Sequence, residues 1–168
     1  MKLWVARLWR KFAPTRGWRV EVTGDSMYPL LHPGERLLVD RGAYRASEPR
    51  RGEIVVFRRP GSAGERSVKV VVGLPGEVVS VERDRLWING LELRWHAPVV
   101  GTLPGQWQLG EAGYFLLSYS VAVGTDSRVF GPVDRSSIEG RVTRVYAPRA
   151  RARRVESLAL GTRQDGED

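Results

Sequence analysis

Two residues of this chain are set for nucleophilic chemistry, Ser26 and Lys69. Ser26 lies in Gly24-Asp25-Ser26-Met27-Tyr28-Pro29-Leu30-Leu31, a stretch punctuated by glycine and proline that follows a strand-like run. Lys69 lies in Ser67-Val68-Lys69-Val70-Val71-Val72, a β-branched run that reads as a strand. A serine hydroxyl is a poor nucleophile at neutral pH and needs a base beside it. A lysine becomes that base only when it sheds its proton, and burial among apolar side chains favours the neutral amine. The chemistry such a pair would do is acyl transfer, the cleavage of a peptide bond.

The usage of basic residues narrows the choice. Of 27 lysines and arginines, only Lys2, Lys11 and Lys69 are lysines. Arginine stays charged and cannot act as a general base. Lys69 is therefore the one lysine or arginine beyond the N-terminal segment that can do so. On spacing alone, a charged lysine on the solvent face of a strand is the open alternative.

Composition removes other chemistries. There is no cysteine, which excludes a disulfide framework, a cysteine-based zinc site and a cysteine nucleophile. The two histidines, His32 and His96, have no metal-site spacing, and His32 falls in a His32-Pro33-Gly34 turn. No metal or other cofactor is expected. The formal net charge of +8 is compatible with nucleic acid, anionic lipid or a merely soluble surface.

The elements that must position the pair read as short strands. Alternation or apolar runs mark 18–22, 36–40, 53–57, 67–72, 78–82, 113–119 and 140–146. Leu86 to Leu93 is a hairpin around Asn89-Gly90, and Leu74-Pro75-Gly76-Glu77 is a turn. Residues 42–52, 59–66 and 96–110 read as loops or irregular chain. The implied fold is mainly β, a coiled antiparallel sheet or partly open barrel, with a short amphipathic helix at the N-terminus. Three parts follow: an amphipathic segment over 1–17, a β-domain over 18–147, and a charged tail over 148–168 expected to be disordered.

In the first part Trp4, Leu8, Trp9 and Phe12 share a helical face among Lys2, Arg7, Arg10 and Lys11. That pattern suits contact with an anionic membrane surface, or packing on the domain. No stretch of the chain approaches the roughly 18–20 apolar residues needed to span a bilayer.

Three segments occur in order: Gly24 to Leu31, Val68-Lys69-Val70-Val71-Val72-Gly73-Leu74-Pro75-Gly76-Glu77, and Thr125-Asp126-Ser127-Arg128-Val129-Phe130-Gly131-Pro132. Together they resemble the type I signal peptidases and the serine peptidases related to them, over roughly residues 18–146. The resemblance implies that Ser26 is the nucleophile and Lys69 the general base. It implies that Asp126 and Arg128 order the loop beside the lysine. It gives the oxyanion to the Ser26 backbone N–H with Gly24 beside it, and makes Met27, Tyr28 and Pro29 substrate-facing. It also implies an extended leader peptide as partner, with small side chains at the first and third positions before the cut.

The pattern is broken in two places. Family members commonly carry Gly-Asp-Asn where this chain has Ser118-Tyr119-Ser120. Where they have a lysine-binding serine two residues before the aspartate, it has Gly124. Ser118, Ser120 and Thr125 are the nearby hydroxyls.

The reading is thus a Ser-Lys endopeptidase that cuts leader or signal peptides, peripheral to a membrane of unspecified face. One alternative is a cytoplasmic maturation peptidase dedicated to a single precursor, of the kind proposed for nickel superoxide dismutase. An alternative of another class is a non-catalytic basic β-domain holding nucleic acid through Arg149 to Arg154. Nucleic acid is the less expected partner, because no stacking-aromatic motif is present.

Overall fold

A computed structural model describes residues 17–96, 98–99, 104–120, 122 and 124–163. The amphipathic segment with Trp4, Leu8, Trp9 and Phe12 lies outside the described residues.

The β-branched and alternating runs form strands. These are β1 (Gly17–Glu21), β2 (Arg36–Asp40), β3 (Ile54–Arg58), β4 (Arg66–Gly73), β5 (Val78–Glu82), β6 (Arg85–Ile88) and β7 (Leu91–Leu93). They continue with β8 (Gly105–Gln108), β9 (Gly113–Leu117), β10 (Val133–Asp134), β11 (Ile138–Ala147), β12 (Arg153–Arg154) and β13 (Thr162–Arg163). A single helical turn, α1 (Ser127–Phe130), precedes β10. The larger sheet runs β1-β2-β11-β3-β4-β9-β10 with β12 on β11, and the smaller runs β13-β7-β6-β5-β8. Every pairing is antiparallel. Register shifts within β11 and between β4 and β9 mark bulges, which bend a sheet and increase its twist. The result is the mainly β, curled antiparallel architecture that the strand pattern implies.

β3 from Ile54 to Phe57 and β4 from Val70 to Val72 read as apolar runs because they are buried on both faces. Ile54, Val56, Val70 and Val72 join the principal core, which draws Val79, Val81, Leu86 and Ile88 from the smaller sheet. Val55, Phe57 and Val71 point the other way, into a second cluster with Tyr114, Leu116 and Ile138. The Asn89-Gly90 hairpin forms where the sequence puts it, both residues at positive φ (51° and 79°), as a type I′ turn requires.

Two expectations need correction. The stretch 96–110 contains β8, paired to β5 from Gly105 to Gln108. The tail is not a free, disordered segment over 148–163. β12 pairs with β11 and β13 with β7, and Val155, Leu158 and Leu160 pack on the core. Leu158 donates its N–H to the Gly52 carbonyl at 2.9 Å. Arg153 reaches Glu35 at 2.7 Å and the Leu30 carbonyl at 2.6 Å. Charge density concealed three apolar residues and one arginine with a buried partner. Among the described residues no helix is long and apolar enough to cross a membrane.

Candidate active site

The nucleophile candidate sits on the loop between β1 and β2. That loop closes on itself: Val22 N–H donates to the Glu35 carbonyl at 2.9 Å and Gly34 N–H to the Val22 carbonyl at 2.7 Å. Met27 and Leu31 anchor it in the principal core. Glu35, with no exposed surface, accepts from the His32 N–H and the Arg153 guanidinium. Burial alone would raise the Glu35 carboxyl, but the Arg153 and His32 donors and the arginine charge hold it below its ordinary value. Ser26 is half-buried, and its carbonyl accepts from Ser120 N–H at 3.0 Å.

Lys69 lies in β4, opposite Val55 of β3, and only 3% of its surface is exposed. Its Nζ is 2.6 Å from Ser26 Oγ. The solvent-face alternative for Lys69 is thereby overturned, since β4 is covered on both sides. Burial lowers the Lys69 amine to about 8; the Asp126 charge opposes this, and the Arg59 and Arg128 charges add to it.

The third segment is stapled to β9, the neighbour of β4. Ser127 Oγ accepts from Leu116 N–H at 2.9 Å, and Asp126 Oδ2 accepts from Ser118 N–H at 3.0 Å. Asp126 also caps α1 through the Arg128 N–H, and the Arg128 guanidinium grips both carboxylate oxygens at 2.8 Å. Asp126 has no exposed surface and the Arg128 side chain 7%. Low exposure makes this a pair whose breakage leaves an uncompensated buried charge.

A cleft of about 220 Å³ opens on the Ser26–Lys69 pair, lined in part by Val20, Val22, Gly24, Met27, Val68 and Gly124. Gly24 is exposed, with nothing within 4 Å of where a Cβ would stand. Met27 lines the cleft from the core side, at 1% exposure. Tyr28 and Pro29 are exposed and do not line it; the Tyr28 ring meets His32 edge-on at 5.0 Å. Among the described residues no histidine or carboxylate cluster is arranged to hold a metal.

Gly124 has φ of +106°, and a Cβ there would stand 2.6 Å from Ser26 Cβ and 2.9 Å from Ser118 Oγ. The backbone passes too close to Ser26 for a side chain, so glycine is required in this arrangement.

The family model described as "Signal peptidase, peptidase S26" matches residues 10–147. The chain belongs to this family. It is accordingly a serine peptidase, a hydrolase. Signal peptidase I of Leptolyngbya laminosa is 32% identical over 138 residues, 76% of this chain and 67% of that protein. Signal peptidase IB of Staphylococcus aureus (strain COL) is 29% identical over 147 residues, 76% of each chain. A shorter match, 45% identical over 73 residues, joins 41% of this chain to 35% of Signal peptidase I T of Bacillus subtilis (strain 168). A solved signal peptidase I from Enterococcus faecalis V583 aligns at 30% identity and a TM-score of 0.49, over 58% of this chain and 98% of that one.

The S26 match ends at residue 147, before the Arg153–Glu35 clamp on the serine loop. Sequence reasoning missed that clamp, because no local motif ties an arginine to a carboxylate 118 positions away. It also missed Arg59, whose charge acts on Lys69.

Proposed function

We propose that this S26 member is a Ser-Lys endopeptidase that removes leader or signal peptides from precursor proteins. One observation carries the reading: a buried amine, lowered to about 8, lies 2.6 Å from a serine hydroxyl at the mouth of a cleft. Neutral Lys69 takes the Ser26 proton as Oγ attacks the scissile carbonyl. The lysine then gives that proton to the departing amine, leaving the acyl group on Ser26. Water, deprotonated by the same amine, releases it. The Ser26 N–H donates to the oxyanion, beside the open space at Gly24, a kind of contact worth about 10²–10³ in rate. Asp126 and Arg128 hold the loop that backs the lysine.

The substrate enters extended, as an added strand. The small cleft and its valine lining favour small side chains at the first and third positions before the cut. Trp4, Leu8, Trp9 and Phe12 bring the enzyme to an anionic membrane surface peripherally; the support is their helical spacing in the sequence, among basic residues.

The test is incubation of the full chain with a precursor peptide carrying an Ala-x-Ala site, in detergent or anionic lipid. Cleavage is expected, with Ser26→Ala and Lys69→Ala each lowering kcat by about 10³-fold or more. Undiminished cleavage by either variant would overturn the assignment.

A further inference from the structure

Lys69 is almost wholly buried, and among the described residues the hydrogen-bond partner of its Nζ is Ser26 Oγ. An ammonium has three N–H donors, so a lysine that accepts the serine proton needs at least one further acceptor. Without one, the protonated base carries the cost of buried, unsatisfied donors at the moment it forms. Gly124 has no side chain to supply it.

Ser118 has the matching deficiency. Its residue is fully buried, and its Oγ has no hydrogen-bond partner among the described residues. Its place in the sheet points it at the lysine. β4 and β9 pair antiparallel with Val71 opposite Leu116 and Val70 opposite Leu117. Continuing that register by one residue sets Ser118 opposite Lys69, and directly opposed residues project to the same face. The parity agrees, because Val71 and Leu116, one strand step back on each side, share the second apolar cluster. A third observation fixes the depth. The point where a Gly124 Cβ would stand is 2.9 Å from Ser118 Oγ and 2.6 Å from Ser26 Cβ. The orphan hydroxyl therefore borders the space between residue 124 and the nucleophile. The sequence shows the complementary exchange: serine at 118 and glycine at 124, the reverse of the glycine and serine in the pattern the chain resembles.

We propose that Ser118 is a positioning residue for Lys69, its hydroxyl oxygen accepting an N–H of the amine once the lysine holds the Ser26 proton. The inference rests on the Ser-Lys reading. It assigns the acceptor role to a residue outside all three segments, one position past the end of β9. Lysine, serine and leaving amine exchange a single proton throughout; Ser118 gains and loses none.

The test uses the full chain and Ser118→Ala, with Ser118→Thr as the conservative variant. Because the chain holds three lysines, Lys69 can be followed alone by NMR of lysine labelled at the ε-carbon. The groups whose charges act on it, Asp126, Arg59 and Arg128, are the same in all three proteins. Loss of an acceptor that favours the ammonium moves the Lys69 titration to lower pH in Ser118→Ala, by about one unit for one charge-assisted hydrogen bond. Ser118→Thr restores it. In cleavage, kcat falls about tenfold or more with KM held. Measured at about pH 9.5, where folded Lys69 is neutral, thermal stability of Ser118→Ala is equal to or above wild type, since the hydroxyl then has no ammonium to accept from. An unmoved Lys69 titration in Ser118→Ala overturns the proposal, as does a lowered melting temperature with undiminished kcat. Either result leaves the Ser-Lys reading intact if Ser26→Ala and Lys69→Ala remain inactive.

Discussion

Replacing Lys69 by methionine should make this protein more stable at neutral pH, and by an amount that fades as the pH rises. Lys69 is lowered from 10.5 to about 8 chiefly by burial. Each unit corresponds to about 1.4 kcal/mol, so holding the ammonium in the folded state costs about 3 kcal/mol. The sign follows from linkage. Below pH 8 both folded and unfolded chains are protonated at Lys69 and the penalty is complete. Between about 8 and 10.5 the unfolded chain binds more protons, so the wild type gains stability as pH rises. Methionine fills nearly the same volume without charge. It forfeits the contact with Ser26 Oγ, worth about 1 kcal/mol, and half-buried Ser26 retains access to water. The net expectation is a gain of about 2 kcal/mol at pH 7, closing to near zero by about pH 9.5. Urea denaturation of both proteins at the two pH values measures it. Burial raises the Tyr44 hydroxyl, with Glu53 adding to the effect, and raises Tyr114 to about 12, so both also titrate with folding in alkali. They are common to the pair and cancel in the difference. A stability difference that does not change with pH, or a methionine variant less stable than wild type at pH 7, would refute the reasoning.

Three further expectations follow from the same geometry. The rate constant kcat/KM should rise about tenfold per pH unit below a limb near 8 and level above it, as the Lys69 amine becomes neutral; a limb near 6.5 would implicate histidine instead. Gly124→Ala should leave a folded protein, by circular dichroism, whose cleavage rate falls about 10²-fold, because the added Cβ has to displace Ser26 Cβ from 2.6 Å. Arg153→Met should cost about 1–3 kcal/mol at neutral pH by leaving buried Glu35 without its guanidinium. The Glu35 carboxyl is held below its ordinary value, so that contribution is present above the unfolded carboxylate range and lost on acidification. The gap between the urea curves should close below about pH 4.

Most of the strands were legible because their periodicity is local. β3 and β4 announce themselves as β-branched runs, and Asn89-Gly90 names its turn from two residues. The pairing of Ser26 with Lys69 was legible for a different reason: each carries its own signature, so the 43 positions between them did not have to be folded first. What stayed hidden depended on distant partners. The strand Gly105–Gln108 alternates glycine, glutamine and tryptophan, and is stabilised by its pairing to β5 rather than by propensity. The segment after Pro148 looks like a charged tail until Glu35 and Leu30 are brought under Arg153. Gly124 reads in sequence as a missing serine. In the fold its backbone runs so near Ser26 that a Cβ there would stand 2.6 Å from the Ser26 Cβ, with the Ser118 hydroxyl beside it.

The central claim is that Ser26 carries the acyl group during turnover, with Lys69 as its base. The most direct measurement is mass spectrometry of the wild-type protein, acid-quenched during steady-state cleavage of the Ala-x-Ala precursor peptide. The account predicts an adduct of the leader fragment's mass on the peptide containing Ser26, absent from Ser26→Ala and Lys69→Ala. Cleavage that proceeds with the adduct on another residue, or that survives in Ser26→Ala, would contradict it.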